Sequence, residues 1–370
     1  MTASTDFIVS RTNLRDGKFV TTQLPELKPG EVLLHVDKFA LTANNITYGA
    51  AGDSIGYWKF FPATEGWGRI PVWGYANIAA SKNDALPVGE RVYGYLPIST
   101  DVIVDAAKIT PAGFIDGASH RAALPPVYNQ YQRVAADQAY FSGRENEIAL
   151  YRPLFSTSFL VDDFLADGDF YGARQVVLAS ASSKTALGLA QLLHDHRKGQ
   201  VKAVALTSAA NKAFVARTGY YDSIFTYDEV DKLDKRVPTA LVDFAGNRKL
   251  VAAIHTHFAD QLKYSCIVGA THWEYLATGG PGSTAEAERL KLPGAKPIFF
   301  FAPDRIVKRS ADWGPAGVRD RIGHALTEFA ASAKSWMHVV EGKGQGQIEE
   351  VYGDFITGKT NPAEGHILSL

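Results

Sequence analysis

The stretch Arg174–Asp195, RQVVLASASSKTALGLAQLLHD, constrains this chain more than any other. Gln175–Ala179 is a short, apolar, β-branched run, which predicts a strand buried on both faces. A turn of small residues follows, Ser180-Ala181-Ser182-Ser183. From Lys184 onward, Ala186, Leu189, Ala190 and Leu193 recur at three- and four-residue spacing, which predicts a helix. Such a strand, turn and helix make the first half of a nucleotide-binding βαβ unit, where the first amides and the positive dipole end of the helix meet a phosphate. The glycine fingerprint G-x-G-x-x-G is absent. Ser180, Ser182, Ser183 and Lys184 stand in its place, and none of them adopts positive φ as cheaply as glycine. The turn alone therefore fits either a dinucleotide site or an ordinary strand–helix connection. Ser183-Lys184-Thr185 also has the look of a P-loop end, but no glycine precedes it to form the nest.

The chain around this stretch narrows the choice. Short apolar runs at Gln175–Ala179, Val201–Thr207, Ser223–Tyr227, Thr239–Phe244, Tyr264–Val268 and Ile298–Phe301 predict strands, with helices near 184–196, 210–217 and 246–259. Strands joined by helices in this way predict a doubly wound parallel sheet. Upstream the pattern is different. Glu31–Phe39 alternates apolar and polar residues, Pro29-Gly30 and Pro87-Val88-Gly89 are turns, and short strands through Thr5–Val104 suggest a compact barrel. At 370 residues, two domains are expected. We expect an α/β protein: a β-rich barrel domain from 1–150 together with 302–370, and a doubly wound parallel-sheet domain from 151–301. Ala149–Leu165, apolar at helical spacing, is expected to bridge them.

Composition removes several classes of function. A net charge of −1 gives no electrostatic footprint for nucleic acid or an acidic membrane surface. No leader-like N-terminus and no run of about 18 apolar residues occurs, so a cytoplasmic protein is expected. Cys266 is the only cysteine, which excludes an intrachain disulfide and a multi-cysteine zinc site, and its apolar setting predicts an inert buried thiol. His194/His196 and His255/His257 are i,i+2 pairs on predicted helices and diverge by about 200°. We expect no metal.

Three aromatic and amide clusters can carry chemistry. Asn44-Asn45-Ile46-Thr47-Tyr48, expected in a loop, either lines a pocket or forms an Asx-rich turn with an exposed tyrosine. Leu124–Arg133 follows a double proline with Tyr128, Asn129 and Tyr131, which either orient a substrate carbonyl or pack as amphipathic surface residues. The aromatic run Ile55–Phe61 suits a hydrophobic ligand or the core. His272-Trp273-Glu274, beyond the Tyr264–Val268 strand, lies where open α/β sheets place ligands.

Taken in order, these segments resemble the medium-chain dehydrogenase/reductase superfamily, in particular its zinc-free quinone oxidoreductase branch. Leu27–Val32 (LKPGEV), Pro87–Val92 (PVGERV), Val176–Gln191, Gly219–Asp222 (GYYD), Phe225–Tyr227 and Val242–Gly246 (VDFAG) are each similar to a motif of that superfamily. Pro71–Tyr75, Tyr128–Arg133 and Tyr151–Asp163 also resemble a large bacterial family of uncharacterised proteins on the same fold. The resemblance implies that the first domain is GroES-like, that the second is a Rossmann domain, and that the chain forms a homodimer. It also implies that Asn44–Thr47 lies near a nicotinamide, with Thr47 in place of an aspartate, and that Gly269 ends the strand beside it.

The cofactor expected is NADP(H). No acidic residue closes Val201–Thr207 to accept a ribose 2′-hydroxyl; Thr207, Ser208, Asn211 and Lys212 follow instead, and can donate to a 2′-phosphate. Ser208 can equally cap the next helix. By resemblance Tyr227 joins this set, while the superfamily's lysine falls on Asn211, one position before Lys212. Ser180, Ser182, Ser183, Lys184 and Thr185 are expected at the diphosphate. The activity expected is hydride transfer from NADPH to an activated alkene or carbonyl of a small hydrophobic substrate. Tyr48 or Tyr128 would polarise the carbonyl or donate a proton, and Asn44 would position it. The alternatives are a redox-inactive NADP(H)-binding sensor or scaffold, and a redox-neutral lyase or isomerase.

Overall fold

The structure, a computed structural model, describes residues 2–244, 246–268 and 292–370. The chain divides into two compact units, Met1–Leu150 with Val339–Leu370, and Tyr151–His338.

The first unit contains β1 (Ala3–Ser10), β2 (Gly17–Gln23), β3 (Glu31–Leu41), β4 (Trp67–Gly68), β5 (Pro71–Ser81) and β6 (Arg91–Pro97). They are followed by β7 (Asp101–Thr110), β8 (Gly113–Asp116) and β9 (Gln130–Arg133). The strands β3, β5, β6, β9, β8 and β7 pair in that order, and β7 pairs back onto β3, so six strands close into a barrel. Closure leaves no edge within the ring. Leu34, Val72, Val92, Leu96 and Val104 of these strands are each fully buried.

One ion cluster holds the barrel to the residues that leave it. Arg91 on β6 donates through Nε and Nη2 to both carboxylate oxygens of Glu145, at 2.6 and 2.8 Å. Lys38 Nζ on β3 lies 2.9 Å from the same carboxylate. Burial alone would raise the Glu145 carboxyl, but Arg91 and Lys38 outweigh it and hold it below the usual carboxylate range.

In the second unit, β10 (Gln175–Ala179), β11 (Lys202–Thr207), β12 (Ser223–Thr226), β13 (Thr239–Asp243), β14 (Leu262–Ile267) and β15 (Pro297–Phe299) form one sheet. Its order is β12-β11-β10-β13-β14-β15, and every neighbouring pair is parallel. All five residues of β10 and of β13 are buried. This accounts for their apolar centres, Val176–Ala179 and Ala240–Val242: a strand covered by helices on both faces has no polar side to alternate with.

Helix Lys184–His196 buries Ala186 through Leu193. It approaches helix Glu145–Asp167 so closely at Gly188 that a Cβ there would stand 2.7 Å from Ser158 Oγ and 2.9 Å from Phe155. Ser158 Oγ also donates to the Thr185 carbonyl at 2.7 Å.

Helix Ala302–Ala333 belongs to this second unit, whereas 302–338 was expected with the barrel. Its contacts explain the difference. Phe329 stacks on Phe155 at 4.9 Å, and Ser332 Oγ lies 2.5 Å from the Tyr220 hydroxyl. At its other end Arg305 and Arg309 both donate through Nε to Asp163 Oδ2, at 2.6 and 2.7 Å, and reach Asp167 at 3.0 Å each. The sequence of 302–338 carries no sign of which unit its ion pairs select.

The stretch Asn44–Tyr48, expected as a loop, lies in helix Ala43–Ala50. Thr42 and Asn45 form a reciprocal cap, with the Thr42 amide donating to Asn45 Oδ1 at 2.7 Å. The Asx and Thr residues that suggested a turn instead start a helix.

Two outcomes follow. Asp163→Asn leaves two nearly buried guanidiniums short of charge and should lower the unfolding free energy by about 3 kcal/mol in urea titration. Glu145→Gln should cost about 1 kcal/mol at neutral pH, the partners being about a quarter exposed. Because the folded carboxyl is depressed, its contribution is present at neutral pH and lost as pH falls. The variant should therefore lose less stability than wild type between about pH 5 and pH 3.

Candidate functional site

The parallel register sets Ala179 of β10 beside Leu206 of β11 and Asp243 of β13, so three strands end level. From β10 the chain steps outward to β11 and β12, then returns to β13 on the other side of β10. At such a reversal the connections leave in opposite directions and open a crevice at the carboxyl ends. The turn Ser180–Ser183 leaves β10 at this point.

Ser180 has φ +60°, the left-handed conformation that glycine would supply in a fingerprint turn. A serine there carries a strain of about 1 kcal/mol, and its neighbours hold it in place. The Ser183 amide donates to the Ser180 carbonyl at 2.9 Å, and Tyr227 is hydrogen-bonded to Ser180. The Ala181 amide donates to Leu206 at 3.0 Å, and the Tyr221 hydroxyl donates to the Ala181 carbonyl at 2.8 Å. Ser182 Oγ accepts from Asn211 Nδ2 at 3.0 Å. Ser183 caps the helix, its Oγ accepting from the Ala186 amide at 3.3 Å. Lys184 and Thr185 are then the first helical residues, whose amides have no acceptor within the helix.

Of the residues expected at a cofactor, the structure thus gathers Ser180, Ser182, Ser183, Lys184, Thr185, Asn211 and Tyr227. Ser208 Oγ makes the capping contact that the sequence also allows, accepting from the Asn211 amide at 3.3 Å. Lys212 Nζ lies 2.8 Å from Glu229 Oε2, an ion pair that the sequence reading missed. Thr207 Oγ1, at the end of β11, is fully buried and has no protein hydrogen-bond partner. Gly269, the His272-Trp273-Glu274 stretch and Pro281-Gly282 lie outside the described residues. A dinucleotide diphosphate requires amide donors at a helix start and a backbone able to turn left-handed before it. Both are present here, so the site fits that group.

The second candidate lies in the first unit. Tyr48, Tyr57, Phe60, Trp73, Tyr95 and Tyr128 pack together, with Tyr48 4.6 Å from Tyr57 and 6.3 Å from Tyr128, and Tyr95 4.9 Å from Tyr128. The Tyr48 hydroxyl accepts from Trp73 Nε1 at 3.4 Å and is also bonded to the Asn44 side chain. The Tyr57 and Tyr128 hydroxyls are 3.1 Å apart. Burial pushes the Tyr48, Tyr57 and Tyr128 phenols well above their ordinary value, so they stay protonated. The Tyr95 hydroxyl is buried with no hydrogen-bond partner.

The expected trio Asn44, Tyr48 and Tyr128 therefore meets in one cluster. Tyr57, Trp73 and Tyr95 join it, and only the Ile55–Phe61 run had hinted at any of them. In that run Tyr57, Phe60 and Phe61 are core residues. Tyr131 turns away, donating to the Tyr95 carbonyl at 2.9 Å, and burial pushes its phenol up to about 12.

Cys266 is fully buried, and burial pushes its thiol well up. His255 is also fully buried, with Nδ1 3.0 Å from the Pro293 carbonyl and Nε2 3.0 Å from Ser265 Oγ. His257 Nε2 lies 2.8 Å from the Leu233 carbonyl.

A closed antiparallel barrel joined to a parallel sheet in the Rossmann order defines the fold of the medium-chain dehydrogenase/reductase superfamily. Within that fold, residues 39–361 match the family described as protein of unknown function (DUF2855), and the chain belongs to it. No curated protein sequence matches the chain. Among solved structures, CurA from Vibrio vulnificus in complex with NADPH is 14% identical over 99% of this chain and 98% of its own, with a TM-score of 0.60. Mycobacterial Rv1454c complexed with NADPH is 15% identical over 99% and 100%, with a TM-score of 0.58. The quinone oxidoreductase from Coxiella burnetii is 12% identical over 100% of both chains, with a TM-score of 0.55. At these identities the likeness is one of fold.

The left-handed serine gives a direct test. Ser180→Ala and Ser180→Gly both remove the hydroxyl, but only glycine relieves the backbone. The glycine variant should be the more stable of the two by about 1 kcal/mol in chemical denaturation.

Proposed function

We propose that this protein is a zinc-free, NADPH-dependent oxidoreductase that delivers hydride to an activated alkene or carbonyl of a hydrophobic, enone- or quinone-like substrate. The observation that carries the reading is the turn after β10: a left-handed Ser180 followed by a capped helix at the reversal point of a Rossmann-ordered sheet. Solved structures of the same fold that hold NADPH support the choice of nucleotide. When bound, the nicotinamide supplies the hydride.

The chain's own residues bind and orient. The amides at the start of helix Lys184–His196, with Ser182, Ser183 and Thr185, hold the diphosphate. Lys212, Asn211 and Tyr227 serve the 2′-phosphate end. Tyr48 accepts hydrogen bonds from Trp73 and Asn44 and keeps its own proton to donate to a substrate carbonyl. Tyr128, paired with Tyr57, can do the same. A phenol held protonated by burial acts as a hydrogen-bond donor or acid, not as a base. We assign the protein to the cytoplasm. No described helix is long and apolar enough to cross a membrane. We also assign it as a homodimer; the outer strand β15 exposes Ile298, half of which is open to a second copy.

One feature favours a second reading, a redox-inactive NADP(H) binder. The phenols are bonded chiefly to one another and to Trp73, and Thr47 bonds the Ala43 carbonyl of its own helix.

Fluorescence titration should give saturable NADPH binding that is tighter than NADH binding. An enone and quinone panel should then oxidise NADPH, with Tyr48→Phe or Tyr128→Phe lowering turnover by about a hundredfold. Binding without oxidation across the panel selects the second reading, and no binding of either nucleotide removes both.

A further inference from the structure

Lys212, the one cation expected at a 2′-phosphate, is already engaged. Its Nζ lies 2.8 Å from Glu229 Oε2, while Lys232 Nζ lies 2.9 Å from Oε1 of the same carboxylate. Glu229 is fixed at this place by its backbone role: its Oε2 accepts from the Thr226 amide at 2.9 Å, closing a capping box with Thr226 at the start of the turn Tyr227–Lys232. That turn begins with Tyr227, which is bonded to Ser180 of the phosphate turn, and Asn211, next to Lys212, is bonded to Ser182. The carboxylate therefore stands among the residues assigned to the adenosine end of the cofactor. A fixed negative charge there opposes a 2′-phosphate and also occupies the lysine that would bind it.

We infer that Glu229 is a positioning and specificity residue that holds Lys212 in reserve, and that Lys232 keeps the carboxylate compensated when a 2′-phosphate claims Lys212. The inference rests on the NADP(H) reading above. Preference for NADPH over NADH then depends on the difference between two ion pairs, and not on Lys212 alone. Glu229 and Lys232 act through Lys212, and neither needs to touch the nucleotide.

The test is nucleotide affinity by isothermal calorimetry, with NADPH and NADH on the full-length protein. Glu229→Gln keeps a capping-box residue, so the turn survives, but it frees Lys212 from its counter-charge. NADPH should bind about five- to tenfold more tightly in this variant, and NADH within about twofold of wild type. Lys232→Met should act in the opposite direction, weakening NADPH a few-fold and leaving NADH alone. In the double variant the Lys232 effect should vanish, because the carboxylate it served is gone.

A Lys232 effect that persists without Glu229 would mean the lysine acts by its field on the phosphate, and overturns the inference. So does a Glu229→Gln protein whose two affinities move together or not at all. A wild-type protein that binds neither nucleotide overturns the proposed function and this inference with it.

Discussion

The second unit depends on burying a five-residue strand on both faces. Once β10 is flanked by β11 and β13 and covered above and below, its backbone can satisfy its hydrogen bonds only in the parallel ladder. Everything that matters chemically then follows from where that strand stops. The level ends of β10, β11 and β13 put the turn Ser180–Ser183, the Thr207–Lys212 segment and Asp243 at one edge of the sheet. The helix that follows must leave from the same edge, so its first amides, which lie outside the helical ladder, arrive there.

How far the sequence revealed this depends on the range of the interaction involved. Strand β10 and the helix from Lys184 to His196 were readable to the residue, because a period change from two-sided apolar to helical spacing is a local signal. The barrel was expected from the even spacing of short strands, and the structure closes it where β3 meets β7 across the intervening strands. Helix Ala43–Ala50 was misread because Thr and Asn serve turns and helix caps equally, and the cap reveals itself only through the Thr42–Asn45 geometry.

The candidate sites show the same division. Ser180, Ser182, Ser183, Asn211 and Tyr227 were found because they flank predicted strand ends. Glu229 was not: it lies seventeen residues from Lys212, beyond another strand, and pairs with it only when β11 and β12 stand side by side. The aromatic cluster was half visible. Tyr48 and Tyr128 drew notice for their neighbours in sequence, whereas Tyr57, Trp73 and Tyr95 come from three separate segments and meet only in the folded barrel.

A glycine turn and a serine turn reach the same backbone path by different means. Glycines adopt left-handed φ at little cost, and nothing but the backbone need hold them. Serines bring strain and hydroxyls, and both require partners. In this chain each hydroxyl found one in a different segment: Ser180 with Tyr227, Ser182 with Asn211, Ser183 with its own helix. The turn is thus cross-linked to the ends of β11 and β12, which the backbone of a glycine turn would not require. Those cross-links make its shape dependent on the segment Tyr227–Lys232, and that segment also carries Glu229.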